Sequence, residues 1–264
     1  MTSGYSDVNG LKMYYEMYGE GKPLVLIHGG GAHIQANFER IIPLLAKNRK
    51  VIAMELQAHG RTGDRNSDLS FEQDADDVAA LLKNLSIDKA DFFGFNNGAT
   101  AALQIAIRHP EIVDKMILGS PQAKRSAFTE EMYEYLPKLT LNEMPPALRA
   151  ANLKVLGDSS ALQNMHDKDV ARMTNFKDIS DEMLASIKAP TLIVMGDQDA
   201  VRIEHALEIQ RKIPNARLAV IPGPHGGYIG DLNSIGPNFN ASDLPVVVFE
   251  KFLNKKTDTN TSAN

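Results

Sequence analysis

Asn96 stands in the middle of Gly94-Phe95-Asn96-Asn97-Gly98, a glycine-flanked segment between a short apolar run and a longer stretch with helical periodicity. A serine in that place would make the segment a nucleophile elbow, a sharp strand-to-helix turn that holds its central side chain out towards a carbonyl. The central residue of such a turn takes a positive φ, and asparagine is among the few non-glycine residues that tolerate one. Asparagine for serine therefore keeps the turn and removes the hydroxyl. The amide is no substitute nucleophile, because its nitrogen lone pair is delocalised into the carbonyl. Upstream, His28-Gly29-Gly30-Gly31-Ala32 offers backbone N–H groups that glycine lets a substrate approach closely. Downstream, Gly196-Asp197-Gln198-Asp199 carries two carboxylates and Pro222-Gly223-Pro224-His225-Gly226-Gly227 an imidazole. A carboxylate and an imidazole brought to one place are the materials of general acid–base chemistry.

These segments need elements that end where the chemistry would be. Near-continuous apolar runs at 23–28, 50–56, 91–95, 115–119, 190–196 and 217–222 read as buried strands of a parallel sheet. Residues 4–8 and 11–18, separated by Asn9-Gly10, predict an antiparallel hairpin ahead of them. Helical patterns lie between the strands at 34–48, 70–85, 97–109, 202–213 and 242–254. Alternation of this kind predicts an α/β fold, a mostly parallel sheet with helices on both faces. Residues 121–188 break the rhythm with helical patterns alone, at 130–136, 146–156, 161–173 and 180–187. They are expected to form a helical lid inserted into a core made of residues 1–120 and 189–264. Its apolar residues Met132, Tyr133, Tyr135, Leu136, Leu156, Met165, Met173 and Phe176 either line a pocket or pack the lid onto the body. The polar tail from Lys255 is expected to fray.

Composition narrows the function classes. The chain has 264 residues and a net charge of -5, which argues against a nucleic-acid or anionic-membrane partner without identifying one. No cysteine is present, so disulfides, thiolate metal sites and a cysteine nucleophile are excluded. The histidines show no ligand spacing, and neither a metal nor another cofactor is expected. The glycine loop fits neither common phosphate-binding pattern. His28 and His59 read as parts of structural turns, His109 as a helix end, and His33 as a loop-surface residue, while His166 and His205 have no readable partner. No run is long enough to span a membrane and the N-terminus lacks a signal-peptide pattern, so cytoplasm is the expectation. The sequence carries no sign of oligomeric state.

The segments HGGGA, QAHGRT, GFNNG, GDQD and PGPHGG, in this order and at these separations, resemble the α/β-hydrolase superfamily over nearly the whole chain. The pattern, including Phe71-Glu72-Gln73-Asp74 before the elbow, resembles small bacterial esterase-like or carbon–carbon-hydrolase-like members with a helical lid. Ala58 in QAHGRT departs from the glycine of the family's G-H-G-R turn. The resemblance implies His225 as base, Asp199 as the acid that orients it, and Asn96 in the nucleophile position. It implies oxyanion donors at the N–H of Asn97 and of Gly30 or Gly31. An acid after the preceding strand would be an alternative, but Gly119-Ser120-Pro121-Gln122 offers no carboxylate. With Asn96 in the slot, three readings stand open. The chain is a hydrolase for a small ester or related carbonyl compound with impaired acyl-enzyme chemistry, a non-catalytic small-molecule binder, or a catalyst that uses His225 as general base without a nucleophile.

Overall fold

The computed structural model describes residues 1–234 and 244–255. Eight strands form one sheet: β1 (Thr2–Val8), β2 (Leu11–Tyr18), β3 (Lys22–Ile27), β4 (Arg49–Met54), β5 (Ala90–Phe95), β6 (Val113–Gly119), β7 (Thr191–Gln198) and β8 (Ala216–Pro224). Their order is β1-β2-β4-β3-β5-β6-β7-β8, with β1 and β2 antiparallel and the pairs from β4 to β8 parallel. The expected α/β architecture is therefore present, with six strands at the apolar runs and β1 and β2 where the Asn9-Gly10 signal predicts a hairpin. Asn9 and Gly10 both have positive φ (46° and 79°), the signature of a two-residue hairpin turn that matches strand twist.

The helices, in chain order, are α1 (Ile34–Phe38), α2 (Ile42–Leu45), α3 (Phe71–Asn84), α4 (Asn97–Arg108), α5 (Glu130–Tyr135), α6 (Pro146–Leu156), α7 (Ser159–Thr174), α8 (Asp181–Ser186), α9 (Ile203–Lys212) and α10 (Leu244–Leu253). The strands are apolar on both sides because both faces are covered. Along β3, Val25 and Ile27 join the core under α3, α4, α8 and α9, whereas Leu24 and Leu26 join the core under α1, α2 and α10. One predicted helix is corrected: residues 34–48 form two short helices, α1 and α2. Pro43 has no N–H to give the carbonyl four residues back, so a continuous helix cannot pass through it. Of the helix expected at 242–254, residues 242 and 243 lie outside the described residues, as does the tail beyond Lys255. Among the described residues no helix is long and apolar enough to cross a membrane.

The chain leaves β3 towards β4 on one side and leaves β5 towards β6 on the other, so the sheet has its topological switch between β3 and β5. The carboxyl ends of two strands that part in this way leave a crevice. The glycine loop after β3 and the turn after β5 both open into it. They can approach because glycine occupies the crossing points. A Cβ on Gly98 would lie 2.1 Å from the carbonyl oxygen of Ile27, and one on Gly94 would lie 2.1 Å from that of Gly98. Gly98→Ala is accordingly expected to cost about 3 kcal/mol of stability through a backbone clash. Urea denaturation measures it, and a loss below about 0.5 kcal/mol would mean that α4 has room to retreat.

Candidate active site

Asn96 takes φ 54° and ψ -119° at the turn from β5 to α4. The positive φ is as the residue type predicts, but ψ lies outside the left-handed helical basin that asparagine favours. Such a conformation costs on the order of 1–3 kcal/mol and persists only where its surroundings enforce it. The backbone N–H of Asn96 donates to the carbonyl of Gly119 on the neighbouring strand at 2.8 Å, and its carbonyl receives the N–H of Ala99 at 2.9 Å. The strand on one side and the helix on the other thus clamp the turn.

Asn96, His225 and Asp199 converge at the carboxyl end of the sheet. His225 Nδ1–H donates to Asp199 Oδ1 at 2.7 Å, which leaves Nε2 as an acceptor facing Asn96 Nδ2 at 3.3 Å. Asn96 Oδ1 points the other way and accepts the N–H of Gly30 at 3.2 Å. This amide orientation is the one that pairs donor with acceptor at both ends. Phe95 backs the imidazole, with ring centroids 4.9 Å apart. Asp199 is buried; burial pushes its carboxyl up, but the His225 contact and further donors outweigh that and hold it below the usual range. Those donors are the Ser120 hydroxyl at 2.6 Å and the N–H groups of Gly196 at 3.2 Å and Val201 at 3.0 Å. Ser120 also meets the Tyr228 hydroxyl at 2.7 Å. The other carboxylate of this loop, Asp197, accepts the N–H of Gly223 at 2.6 Å and ties the acid loop to β8.

The three expected oxyanion donors separate. Gly30 faces the Asn96 side chain, and the N–H of Asn97, first in α4, has no acceptor within the helix. Gly31 turns away at φ 63° and donates to Asp169 Oδ2 at 2.6 Å, so it does not share a target with the other two. Asp169 comes from α7, on the helical insertion, and nothing in the sequence marks it. It accepts His59 Nε2 at 2.8 Å and Arg172 at 2.5 Å, and Arg172 reaches on to Asp74 at 2.8 Å. His59 is more than a turn residue. Its Nδ1 meets the Gln57 carbonyl at 2.8 Å, so both ring nitrogens face acceptors and both must donate. Burial works against the charge, but Asp169 prevails and raises the His59 pKa. The same partners drive the Asp169 carboxyl far down despite its burial.

Other histidines also differ from their sequence reading. His33 is buried rather than on a loop surface, with Nδ1 3.3 Å from Gln35 Oε1. His205 Nε2 accepts the N–H of Ala123 at 3.0 Å, a contact between residues far apart in sequence.

Above Asn96 and Asn97 lies a cavity of about 320 Å³, walled by the glycine loop and by the insertion. Of the eight apolar insertion residues singled out from the sequence, Leu136 and Met173 line it. Tyr133, Met165 and Phe176 are buried in packing, while Met132 and Tyr135 are exposed.

Comparison with known proteins agrees with the fold. The sequence profile described as alpha/beta hydrolase fold matches residues 22–168. A 2-hydroxymuconate semialdehyde hydrolase from Pseudomonas sp. (strain CF600) is 38% identical over 104 residues, 38% of this chain and 36% of that protein. A 2-hydroxy-6-oxo-6-(2'-aminophenyl)hexa-2,4-dienoic acid hydrolase from Metapseudomonas resinovorans is 28% identical over 117 residues, 43% of this chain and 40% of that protein. The chain thus spans well under half the length of these two curated relatives. Among solved structures, a serine hydrolase involved in carbazole degradation (CarC) superposes with a TM-score of 0.77 at 23% identity, covering 96% of this chain and 98% of that one.

His28 supplies a pH test of the glycine loop. Its Nε2 accepts the N–H of Leu56 at 3.0 Å and its Nδ1–H donates to Gly29 at 2.7 Å, so the ring must be neutral. Burial first, and then the nearby His59 charge, lower its pKa from 6.5 to about 3. The unfolded chain therefore takes up this proton first, and the associated stability, present above pH 6.5, is lost as pH falls towards 3. Between pH 7 and pH 5 the loss is expected to be about 2 kcal/mol. Urea denaturation of His28→Gln, which keeps an acceptor for Leu56, should show a pH slope shallower by that amount, and an unchanged slope would contradict the neutral ring.

Proposed function

The chain belongs to the α/β hydrolase fold family, and on that footing we propose that it takes a small ester or related carbonyl compound above Asn96 and cannot form an ordinary acyl-enzyme from it. The observation that carries this reading is the run of contacts from Asp199 through His225, 2.7 Å and then 3.3 Å, that ends on an amide instead of an alcohol. Removing the serine from a serine hydrolase costs roughly 10⁶-fold in turnover, with about 10³–10⁴ over water left from binding and the oxyanion site. In this reading His225 is a general base backed by Asp199, and its targets are a bound water or an acidic carbon–hydrogen bond. The N–H of Asn97, with that of Gly30, would receive the carbonyl oxygen. The helical insertion, residues 121–188, would act as the lid that excludes water. The relatives offer precedent for a carbonyl compound, one being named for a semialdehyde and the other for an oxo acid, whose carboxylate sets it apart from the uncharged ester or carbonyl compound proposed here.

A non-catalytic binding role is favoured by one observation. The Gly30 N–H is already bonded to Asn96 Oδ1 at 3.2 Å, so a ligand carbonyl must displace that oxygen before it is polarised.

Hydrolysis of p-nitrophenyl acetate separates the readings. The expected result is no burst of p-nitrophenol and no acetyl adduct on the unaltered chain, with Asn96→Ser gaining at least about 10³-fold in kcat/KM. Adding His225→Ala should remove that gain. Slow turnover by the unaltered chain that His225→Ala abolishes supports the general base. No turnover, together with saturable binding of small carbonyl compounds, supports the binding role. A burst with an acetyl adduct on the unaltered chain would end the proposal.

A further inference from the structure

The three glycines after His28 have their N–H groups occupied by side-chain oxygens. Gly29 donates to Asn37 Oδ1 at 2.8 Å, Gly30 to Asn96 Oδ1 at 3.2 Å and Gly31 to Asp169 Oδ2 at 2.6 Å. Successive backbone donors of this sort are what an anion seeks, and a ligand carboxylate entering here would have to displace a side-chain oxygen to reach each of them. The Lys, Arg, Asp and Glu residues tell the same story. Among the described residues, those that line the cavity are Asp169 and Glu143, both acidic.

The cations that offset Asp169 stand away from the cavity wall. Arg172 is buried, spends its guanidinium on Asp169 and Asp74, and lies over the ring of Phe71 at 4.6 Å. His59 gives Nε2–H to Asp169. Glu143 is turned to its own loop by the Thr140 N–H at 2.8 Å and by the Tyr135 hydroxyl. The remaining titratable group on the wall, His166, has Nδ1 2.9 Å from Asp167. The rest of the lining carries no formal charge: Asn96, Asn97 and Thr140 are polar, and Leu139, Leu148 and Val170 are among the apolar remainder.

We infer that this cavity selects an uncharged carbonyl compound and rejects carboxylates, with Asp169 as the residue that sets the preference. A carboxylate would give up its hydration in a mostly apolar space, find no lysine or arginine among the described lining residues to replace it, and face the like charge of Asp169. An ester or ketone of the same shape loses little hydration on entry and meets no repulsion. This is selection by exclusion of the wrong ligand as much as by attraction of the right one. The inference rests on the proposed reading of the cavity as the ligand site.

The test is equilibrium binding of methyl hydrocinnamate and of the hydrocinnamate anion, by calorimetry on the full chain at pH 8, above the ordinary imidazole pKa. The ester is expected to bind at least about tenfold more tightly than the acid. Asp169→Asn keeps an acceptor for the Gly31 N–H and removes the charge, and should bring the two affinities close together. Glu143→Gln sits on an exposed turn, leaves the buried network intact, and should narrow the ratio by a smaller factor. Acid binding as tight as ester binding on the unaltered chain overturns the inference while leaving the ligand site standing. A ratio unmoved in both variants removes Asp169 from its role. Saturable binding of neither compound overturns the inference together with the ligand-site reading beneath it.

Discussion

The close crossing of α4 over the ends of β3 and β5 is the constraint on which the rest of the site depends. It exists because two glycines bring backbone against backbone, where any side chain would collide with a carbonyl. That contact forces Asn96 into a conformation it would not choose, and the hydrogen bond to Gly119 keeps it there. The strain has a structural use. A side chain held at this turn cannot fold back onto its own helix, so it projects into the crevice between the diverging strands.

From that fixed point the polar groups are arranged in two directions. On one side His225 and Asp199 form a line whose far end is anchored by Ser120, and Ser120 by Tyr228. On the other side the glycine loop meets Asp169, and through it His59, Arg172 and Asp74. Two acids and two bases in one buried group are tolerable because each charge has a partner at hydrogen-bond distance, and each would be costly alone. The same group fastens α7 to the body, so the roof of the cavity and the charge on its wall are set by one set of contacts.

Much of the first arm was legible without coordinates. Glycines on either side of position 96, a carboxylate after one late strand and an imidazole after the next are local patterns, each tied to a strand end. The second arm was not legible. Asp169 sits within a helix whose sequence says only that it is amphipathic, and its partners lie 110 and 138 positions away at His59 and Gly31. Ser120 lies in a segment that offers no carboxylate, yet its hydroxyl supports the acid supplied by another strand. Gly31 is the clearest case of ambiguity: the loop sequence offers several N–H groups, and only the path of the backbone decides which one faces Asn96.

The sequence by itself determined the strand order's raw material, the positive φ at Asn96 and the amide in place of any hydroxyl at that position, because these follow from residue type and short-range spacing. The pattern at 34–48 suggested one continuous helix, and its division just ahead of Pro43 emerged only in the structure. Tertiary structure decided which polar groups meet, which remain open to a ligand, and that the charges lining the cavity are acidic. Those are questions of distance between segments remote in the chain, and a charge takes its meaning from the partner and the solvent that packing leaves beside it.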